Sequence, residues 1–176
     1  RRSGMNGTGA ESQGTGGSAG KSHGRIAALT LDHESLLRRS AEVEHERAVA
    51  VYDLLEANVF ALEGAFQGPY HLHLSVLENR LILDVRDPDE QPLGIIQLSL
   101  TPFRRIVRDY FQMCDSYYDA ITRLSPSQIE TIDMGRRGLH DEGARILESR
   151  LAGKAYFDFQ TARRLFTLIC VLHIKP

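Results

Sequence analysis

Alternation between apolar and polar positions predicts a small sheet in the first half of the chain. Four segments have the length and pattern of strands: RIAALTL (25–31), PYHLHLSVL (69–77), RLILDVR (80–86) and LGIIQLSL (93–100). Glu78 and Asn79 separate the second segment from the third, and a two-residue connection of this kind forms the turn of a β-hairpin. Short connections between consecutive strands favour antiparallel pairing, so we expect a meander built around this central hairpin.

Apolar residues at helical spacing predict four helices in the remaining sequence. The segments are 41–58, 101 to about 121, 125 to about 151, and FQTARRLFTLICVLHI (159–174). Thr101 is predicted to cap the second helix and Asp158 the fourth, and Ser125 with Gln128 has the spacing of a capping box at the start of the third. Gly153 is expected to end that third helix.

Strands that come first and helices that follow indicate an α+β fold. We expect a small antiparallel sheet of three or four strands with a central hairpin, packed on one face by about four helices. From Leu165 onward the last helix is apolar on nearly all sides, which places it either at the centre of the core or beneath a partner. Docking of a second copy of the chain, or of another protein, through this helix is therefore an open alternative.

The first 24 residues differ from the rest of the chain. Residues 1–24 are dominated by Gly, Ser and Thr, so we predict a disordered tail ahead of a single domain at 25–176. The string GTGGSAGKS within the tail superficially suggests a phosphate-binding loop. Such a loop needs a strand before it and a helix after it, whereas here a predicted strand follows. We therefore interpret the string as linker.

Composition narrows the functional classes. The formal net charge of −2 gives no electrostatic reason to expect nucleic acid or an anionic membrane as a partner. Cys114 and Cys170 both lie in apolar helical patterns, so a disulfide, a metal cluster or another cofactor is not expected. An apolar signal region and an apolar run long enough to span a membrane are both missing from the sequence, which predicts a cytoplasmic protein.

Five strings carry a resemblance to a known family: VEHERAVAVYDLLEAN, GPYHLHLS, LSLTPFRRIVRDYF, SPSQIETIDMGRRGLHDEG and TARRLFTLICVLH. On these strings, over roughly residues 25–175, the chain resembles an uncharacterised alphaproteobacterial protein family, numbered 0262 among the UPF families. The resemblance implies a cytoplasmic bacterial domain. It implies no activity and supplies no catalytic residue, so candidate chemistry has to come from the residues themselves.

Two arginines on apolar helix faces define a candidate anion or ligand site. Arg136 points to the inner side of the third helix, and Arg47 lies among apolar residues of the first. A buried guanidinium is costly without a negative partner, so each needs an acid or a bound anion. His140, His45 and Glu46 complete a set suited to acid–base chemistry on a phosphorylated or carboxylated small molecule. Glu44, Glu46 or Glu142 could be the acidic partner of Arg136.

His71 and His73 lie two residues apart on one predicted strand and therefore share a face. Such a pair begins many zinc or iron sites, and His45, Glu46 or His140 could supply a third ligand. A polar, solvent-facing side of an antiparallel sheet explains the same alternation, and we favour this interpretation. The pair is thus a weak metal candidate.

Arg104, Arg105 and Arg108 project from the start of the second helix and form a candidate basic patch. An arginine cluster at a helix N-terminus can bind phosphate, and this one could contact RNA. Asp109 and Asp115 can instead pair with these arginines on the surface, which we favour.

Two glycines fall on the inward face of the third helix. Gly135 and Gly143 share that face with Leu139 and Ile146. Because a helical glycine costs about 1 kcal/mol relative to alanine, the pair predicts a neighbouring backbone that passes close by. The apolar last helix is the expected neighbour.

No complete catalytic set can be spelled out from these residues, so the favoured function is a non-enzymatic interaction or regulatory domain. One alternative is a small enzyme or anion-binding protein at the Arg/His/Glu set, and another is an RNA-contacting protein at the basic patch. Whether the chain is an enzyme stays open at this level. The deciding observation is whether Arg136 and His140 meet Arg47 and His45 in an open pocket or lie in a sealed, paired core.

Overall fold

The computed structural model describes residues 24–32, 41–64 and 66–172. In chain order its elements are β1 (Ile26–Leu31), α1 (Ala41–Glu56), β2 (Phe60–Leu62), β3 (Tyr70–Leu77), β4 (Arg80–Arg86), β5 (Pro92–Ser99), α2 (Arg104–Ile121), α3 (Pro126–Leu151), β6 (Ala155–Phe157) and α4 (Phe159–Leu172). They form the predicted α+β fold. The predicted tail and the string GTGGSAGKS lie outside the described residues, apart from Gly24. Among the helices described, none is long and apolar enough to cross a membrane.

The main sheet has the strand order β1-β3-β4-β5. β3, β4 and β5 form the predicted antiparallel meander. At its central turn Glu78 and Asn79 have φ values of 49° and 61°, the left-handed conformation that a two-residue hairpin turn requires. The expectation of a wholly antiparallel sheet is wrong for β1, which pairs with β3 in parallel. The segment between β1 and β3 includes α1. A helical connection of this kind returns the chain to the end of the sheet where β1 began, so β1 and β3 run in the same direction.

A second sheet, β2-β6, has no counterpart among the predicted strands. Phe60 lies opposite Phe157, and Leu62 lies opposite Ala155. Each strand has only three residues, which is too short for a period of two to show in the sequence. Their pairing ties the segment after α1 to the segment between α3 and α4.

Most helix termini follow their predicted signals. Ser125 and Gln128 form the capping box at the start of α3. Asp158 Oδ1 accepts a hydrogen bond from Thr161 N at 2.9 Å at the start of α4. Gly153, just after α3, has the left-handed φ of 77° that ends many helices.

The prediction that Thr101 caps α2 is wrong. A 3-10 turn occupies Thr101–Phe103, preceded by Leu100 with helical backbone angles and no side-chain cap, and the α-helix begins at Arg104. Thr101 Oγ1 instead accepts a hydrogen bond from Asn79 Nδ2 at 2.9 Å. The hairpin turn therefore binds the hydroxyl that the sequence pattern assigned to the helix.

Helices α3 and α4 cover one face of the main sheet. Leucines from the two layers meet there across a narrow apolar space, among them Leu81, Leu83, Leu98, Leu147, Leu165 and Leu168. Nine residues of α4 are buried. Of the two alternatives for this helix, a central place in the core is the one observed.

The opposite face of the main sheet is exposed or half-exposed, and we call it the open face. All four strands contribute to it: Thr30, His71, His73, Asp84, Arg86, Ile95 and Gln97. The alternation predicted for β3 is confirmed, because its histidines are half-exposed while Leu72 and Leu74 between and beyond them are buried.

The two inward glycines of α3 have different neighbours. A Cβ added to Gly143 would lie 2.3 Å from Phe166 Cδ2, so the last helix is the neighbour there as predicted, but the ring of Phe166 fills the space instead of the predicted backbone. A Cβ added to Gly135 would lie 2.8 Å from Met113 Cε of α2. The prediction of α4 as its neighbour is wrong for Gly135, because α3 packs against both helices along its length.

Candidate binding site on the open face

Two histidines of β3 hold one carboxylate on the open face. His71 Nδ1 lies 2.8 Å from Glu90 Oε1, and His73 Nε2 lies 2.7 Å from Glu90 Oε2. Glu90 reaches them from the turn between β4 and β5. An ionised carboxylate only accepts hydrogen bonds, so His71 carries its proton on Nδ1 and His73 on Nε2.

Arg86 and Asp84 of β4 complete the cluster. The register places Arg86 opposite His71 and Asp84 opposite His73. Arg86 donates to Asp84 Oδ2 from Nε at 3.1 Å and from Nη2 at 2.8 Å, and its Nη1 lies 3.7 Å from Glu90 Oε2. Two imidazoles and one guanidinium thus approach the same carboxylate. We call His71, His73 and Arg86 the carboxylate cradle.

Asp87 organises the turn that presents Glu90. Its Oδ1 accepts hydrogen bonds from the backbone N–H groups of Asp89 and Gln91, both at 2.9 Å. Glu90 N donates to Asp87 O, also at 2.9 Å. Glu90 has a φ of 63°, a left-handed conformation that is uncommon for a residue with a Cβ. The turn keeps its shape through Asp87, which leaves the Glu90 side chain to the histidines.

The surrounding groups favour the ionised form of Glu90. Hydrogen bonds from His71 and His73 lower the pKa of its carboxyl below the usual value. The hydrogen bond to Asp84 raises the pKa of the Arg86 guanidinium. Because the Glu90 side chain is 48% exposed, this carboxylate is held in place while still in contact with solvent.

The cradle suits an anion better than a metal ion. Within the described ranges, no group of three or more His, Cys, Asp or Glu side chains could hold a metal. The Arg86 guanidinium also lies close enough to repel a cation at Glu90. Imidazole N–H groups and a guanidinium are donors that proteins use to hold carboxylates and phosphates. The arrangement can therefore hold an anionic group.

Arg136, from the predicted helical site, is paired within its own helix. Its Nη2 lies 2.6 Å from Asp133 Oδ1, and its guanidinium lies 5.0 Å from the centre of the Tyr117 ring. Burial acts to lower the pKa of Arg136, but Asp133 raises it overall. The prediction of a glutamate partner is wrong, because Asp133 lies one helical turn away on the same side of α3.

His140 packs among aromatic rings between α2 and α4. Its ring centre lies 5.0 Å from that of Tyr110 and 6.0 Å from that of Phe166. Its Nε2 lies 3.5 Å from Thr167 Oγ1. Burial, assisted by the charges of two arginines, lowers the pKa of His140 to about 4. The ring is therefore neutral at physiological pH and acts as part of the core.

The remaining residues of that predicted site lie on α1, which packs against α4 and β1. Arg47 is buried, with 8% of its surface exposed, and His45 is exposed. The side chain of Glu46 lies outside the described part of the structure. Arg136 and His140 lie on α3, between α2 and α4. The structure thus divides the five residues between two helices.

The predicted basic patch is exposed at the start of α2. Arg105 pairs with Asp109 at 3.2 Å and with Glu142 of α3. Arg108 Nε lies 3.6 Å from Asp109 Oδ1. Arg105 and Arg108 therefore have acidic partners, in keeping with surface pairing.

Comparison with known proteins identifies the family. The profile described as "Uncharacterised protein family (UPF0262)" matches residues 23–175. The chain belongs to the UPF0262 family. A UPF0262 protein of Rhodopseudomonas palustris is 60% identical over 154 residues, which cover 88% of this chain and 94% of that protein. A UPF0262 protein of Nitrobacter winogradskyi is 60% identical over 151 residues, covering 86% of this chain and 90% of the relative.

A UPF0262 protein of Bradyrhizobium is likewise 60% identical over 152 residues, covering 86% of this chain and 90% of the relative. No solved structure matches the chain. The region matched by the UPF0262 profile contains every strand and helix described above. The names of these relatives state no activity, so functional argument rests on geometry.

Sequence reasoning missed the partners of the two histidines. The turn at Glu78 and Asn79 sets the register of β3 and β4, and this register alone could have placed Arg86 and Asp84 opposite them. Glu90 carried no such signal. It lies beyond the end of β4, and its position depends on the path of the turn.

Proposed function

We propose that this UPF0262 chain is a non-enzymatic interaction domain that binds a protein partner through the open face of its sheet. The observation that supports the proposal is the carboxylate cradle, whose charged groups are fixed by two strands on the side of the sheet away from α3 and α4. A rigid scaffold that presents polar groups to solvent suits recognition.

The register aligns this charged cluster with an apolar side chain. Thr30, His73, Asp84 and Ile95 lie opposite one another across β1, β3, β4 and β5. Ile95 is 64% exposed. One exposed isoleucine is ordinary on its own, but an apolar side chain beside fixed charges is the combination found at protein-binding surfaces.

The position of β5 at the edge of the sheet supports a protein partner. Leu100 N donates to Asn79 O at 3.0 Å, so Asn79 and Leu100 form a hydrogen-bonded pair. Along an antiparallel ladder, hydrogen-bonded pairs alternate with pairs that are not hydrogen-bonded. Counting along this register, Ile96 directs its backbone groups to β4, whereas Ile95 and Gln97 direct theirs outward. A strand of a partner can pair with such an edge.

The helical residues support an enzyme less well. Arg136 is paired with Asp133, and His140 is a neutral ring packed against Tyr110 and Phe166. A general acid or base needs a pKa near the working pH and access to a substrate. A pKa of about 4 and a packed ring leave His140 poorly suited to that task.

Location and partner type are finer parts of the proposal. We place the domain in the cytoplasm of alphaproteobacteria, in keeping with its relatives in Rhodopseudomonas, Nitrobacter and Bradyrhizobium. The partner is another protein or a second copy of the chain. The open face is favoured over α4 as the docking surface, because nine residues of α4 are already buried inside the domain.

A photo-reactive amino acid at position 95, introduced in alphaproteobacterial cells, tests the proposal. Tyr52 on α1 and Met134 on α3 are matched control positions, because these two residues and Ile95 are each 64% exposed. We expect one adduct of constant mass from position 95 that is missing at both controls. Equal adducts from all three positions, or none from position 95, would contradict the proposal.

A further inference from the structure

We infer that His71, His73 and Arg86 form a binding site for a carboxylate of an acidic segment in the partner, and that Glu90 fills this site in the free chain. The inference rests on the proposed function, since it assumes that the partner docks on the open face. It adds the chemical class of the partner and the competitor that the partner displaces.

The cradle is built independently of the carboxylate it holds. His71 and His73 are placed by the backbone of β3, which is paired on both sides, with β1 and β4. Arg86 is anchored by two hydrogen bonds to Asp84 Oδ2, at 3.1 and 2.8 Å. Removal of Glu90 would therefore leave the three donors in place. Two imidazole N–H groups would then need a new acceptor.

Glu90 is attached in a way that allows it to leave. Asp87 accepts the hydrogen bonds that shape the turn. Its side chain accepts from Asp89 N and Gln91 N, and its backbone oxygen accepts from Glu90 N. The Glu90 carboxylate takes no part in them. Because that carboxylate is 48% exposed, an incoming acidic side chain can reach the same donors from solvent.

The hydrogen-bond donors of the cradle point to an acidic partner. Residues 84–90 contain four acids, Asp84, Asp87, Asp89 and Glu90. Asp84 is paired with Arg86, and Asp87 is engaged by the turn backbone. A carboxylate from the partner would take over the donors that Glu90 releases, and the displaced Glu90 carboxylate would turn to the solvent that it already contacts. A basic partner would instead meet Arg86 and the two imidazole N–H groups.

The test measures binding of an acetylated hexaglutamate peptide to the full chain, with a hexaglutamine peptide as the neutral control and succinate as a free dicarboxylate. Removing an internal competitor raises apparent affinity by the inverse of the fraction of open sites. We therefore expect Glu90→Ala to bind hexaglutamate about ten-fold more tightly than the unmodified chain. Glu90→Gln, which keeps the side-chain size, is expected to fall in between.

Glu78→Ala is the matched control. It removes the same charge from the turn at the other end of β4, at a residue that also has a positive φ, 49° against 63° for Glu90. We expect no gain of affinity there, and adding His71→Ala and His73→Ala to Glu90→Ala should abolish the gain. Equal gains of affinity in Glu78→Ala and Glu90→Ala would show that the loss of one negative charge explains the tighter binding, which would overturn the inference.

Other outcomes separate this inference from the proposed function. A partner adduct at position 95, with no effect of Glu90→Ala on hexaglutamate binding, leaves the interaction domain standing and overturns the cradle. The expected peptide binding without any adduct supports the cradle and contradicts the proposed function. Succinate bound as tightly as hexaglutamate overturns the assignment to an acidic segment, because the site would then take free carboxylates.

Discussion

Replacing Gly143 with alanine is expected to destabilise the fold, whereas the same change at Gly138 is expected to stabilise it. A Cβ at position 143 would lie 2.3 Å from Phe166 Cδ2 and 2.5 Å from Cγ, where ordinary contacts are 3.4–4 Å. Phe166 is fully buried and packs against Phe103 and Tyr110, so its ring has little room to move. A Cβ at position 138 would meet nothing within 4 Å.

The magnitudes follow from two opposing effects. Overpacking a core costs ~1–3 kcal/mol, and replacing a helical glycine with alanine returns about 1 kcal/mol. Gly143→Ala should therefore lose up to about 2 kcal/mol net, and Gly138→Ala should gain up to about 1 kcal/mol. For a domain of this size each kcal/mol corresponds to roughly 2–4 °C in Tm.

Thermal and urea unfolding followed by circular dichroism measure both variants against the unmodified chain. Gly135→Ala is expected to fall between them, because its new Cβ would meet only the flexible end of Met113. Stability of Gly143→Ala equal to or above that of Gly138→Ala would refute the close packing of α3 on α4.

Three further changes test other parts of the fold. The pKa of His140 is lowered to about 4, so the unfolded chain binds more protons between pH 4 and 6.5 and stability falls as the pH drops through that window; the loss is about 3 kcal/mol in total. His140→Gln should weaken the dependence of the urea midpoint on pH across this window. An unchanged dependence would contradict the lowered pKa of His140. Gly24→Ala would place a Cβ 2.4 Å from Phe60 O and 2.6 Å from Gln67 O, so we expect a loss of ~1–3 kcal/mol in urea unfolding, and full stability would count against this contact. Asn58 accepts from Ile26 N at 2.7 Å and donates to Ile26 O at 3.0 Å; Asn58→Ala should cost ~1–3 kcal/mol and speed amide exchange at Ile26, and unchanged exchange would argue against this bridge.

Local signals account for much of the fold. The positive φ values of Glu78 and Asn79 and the capping box of Ser125 with Gln128 depend on residues close in sequence, and both were predictable. The parallel direction of β1 and the pairing of Phe60 with Phe157 depend on residues far apart in the chain. Periodicity carries no information about such contacts.

The candidate site divides in the same way. The two-residue period of a β-strand predicted that His71 and His73 share one face, and the register set by the hairpin turn implied that Arg86 lies opposite His71. The sequence suggested Arg136 and His140 as part of a candidate ligand site because an inward arginine needs a negative partner. It could not show that Asp133 meets that need or that aromatic rings surround His140.

The sequence by itself determined the α+β architecture, the central hairpin, the shared face of the two histidines and the membership of the UPF0262 family. These follow from local spacing and from strings long enough to be specific. Only the tertiary structure decided which carboxylate the histidines hold, which face of the sheet stays open, and that α4 is covered within the chain. Each of these depends on the paths of turns and helices that bring Glu90 and α4 to their neighbours, and distances between such segments are set by packing rather than by periodicity.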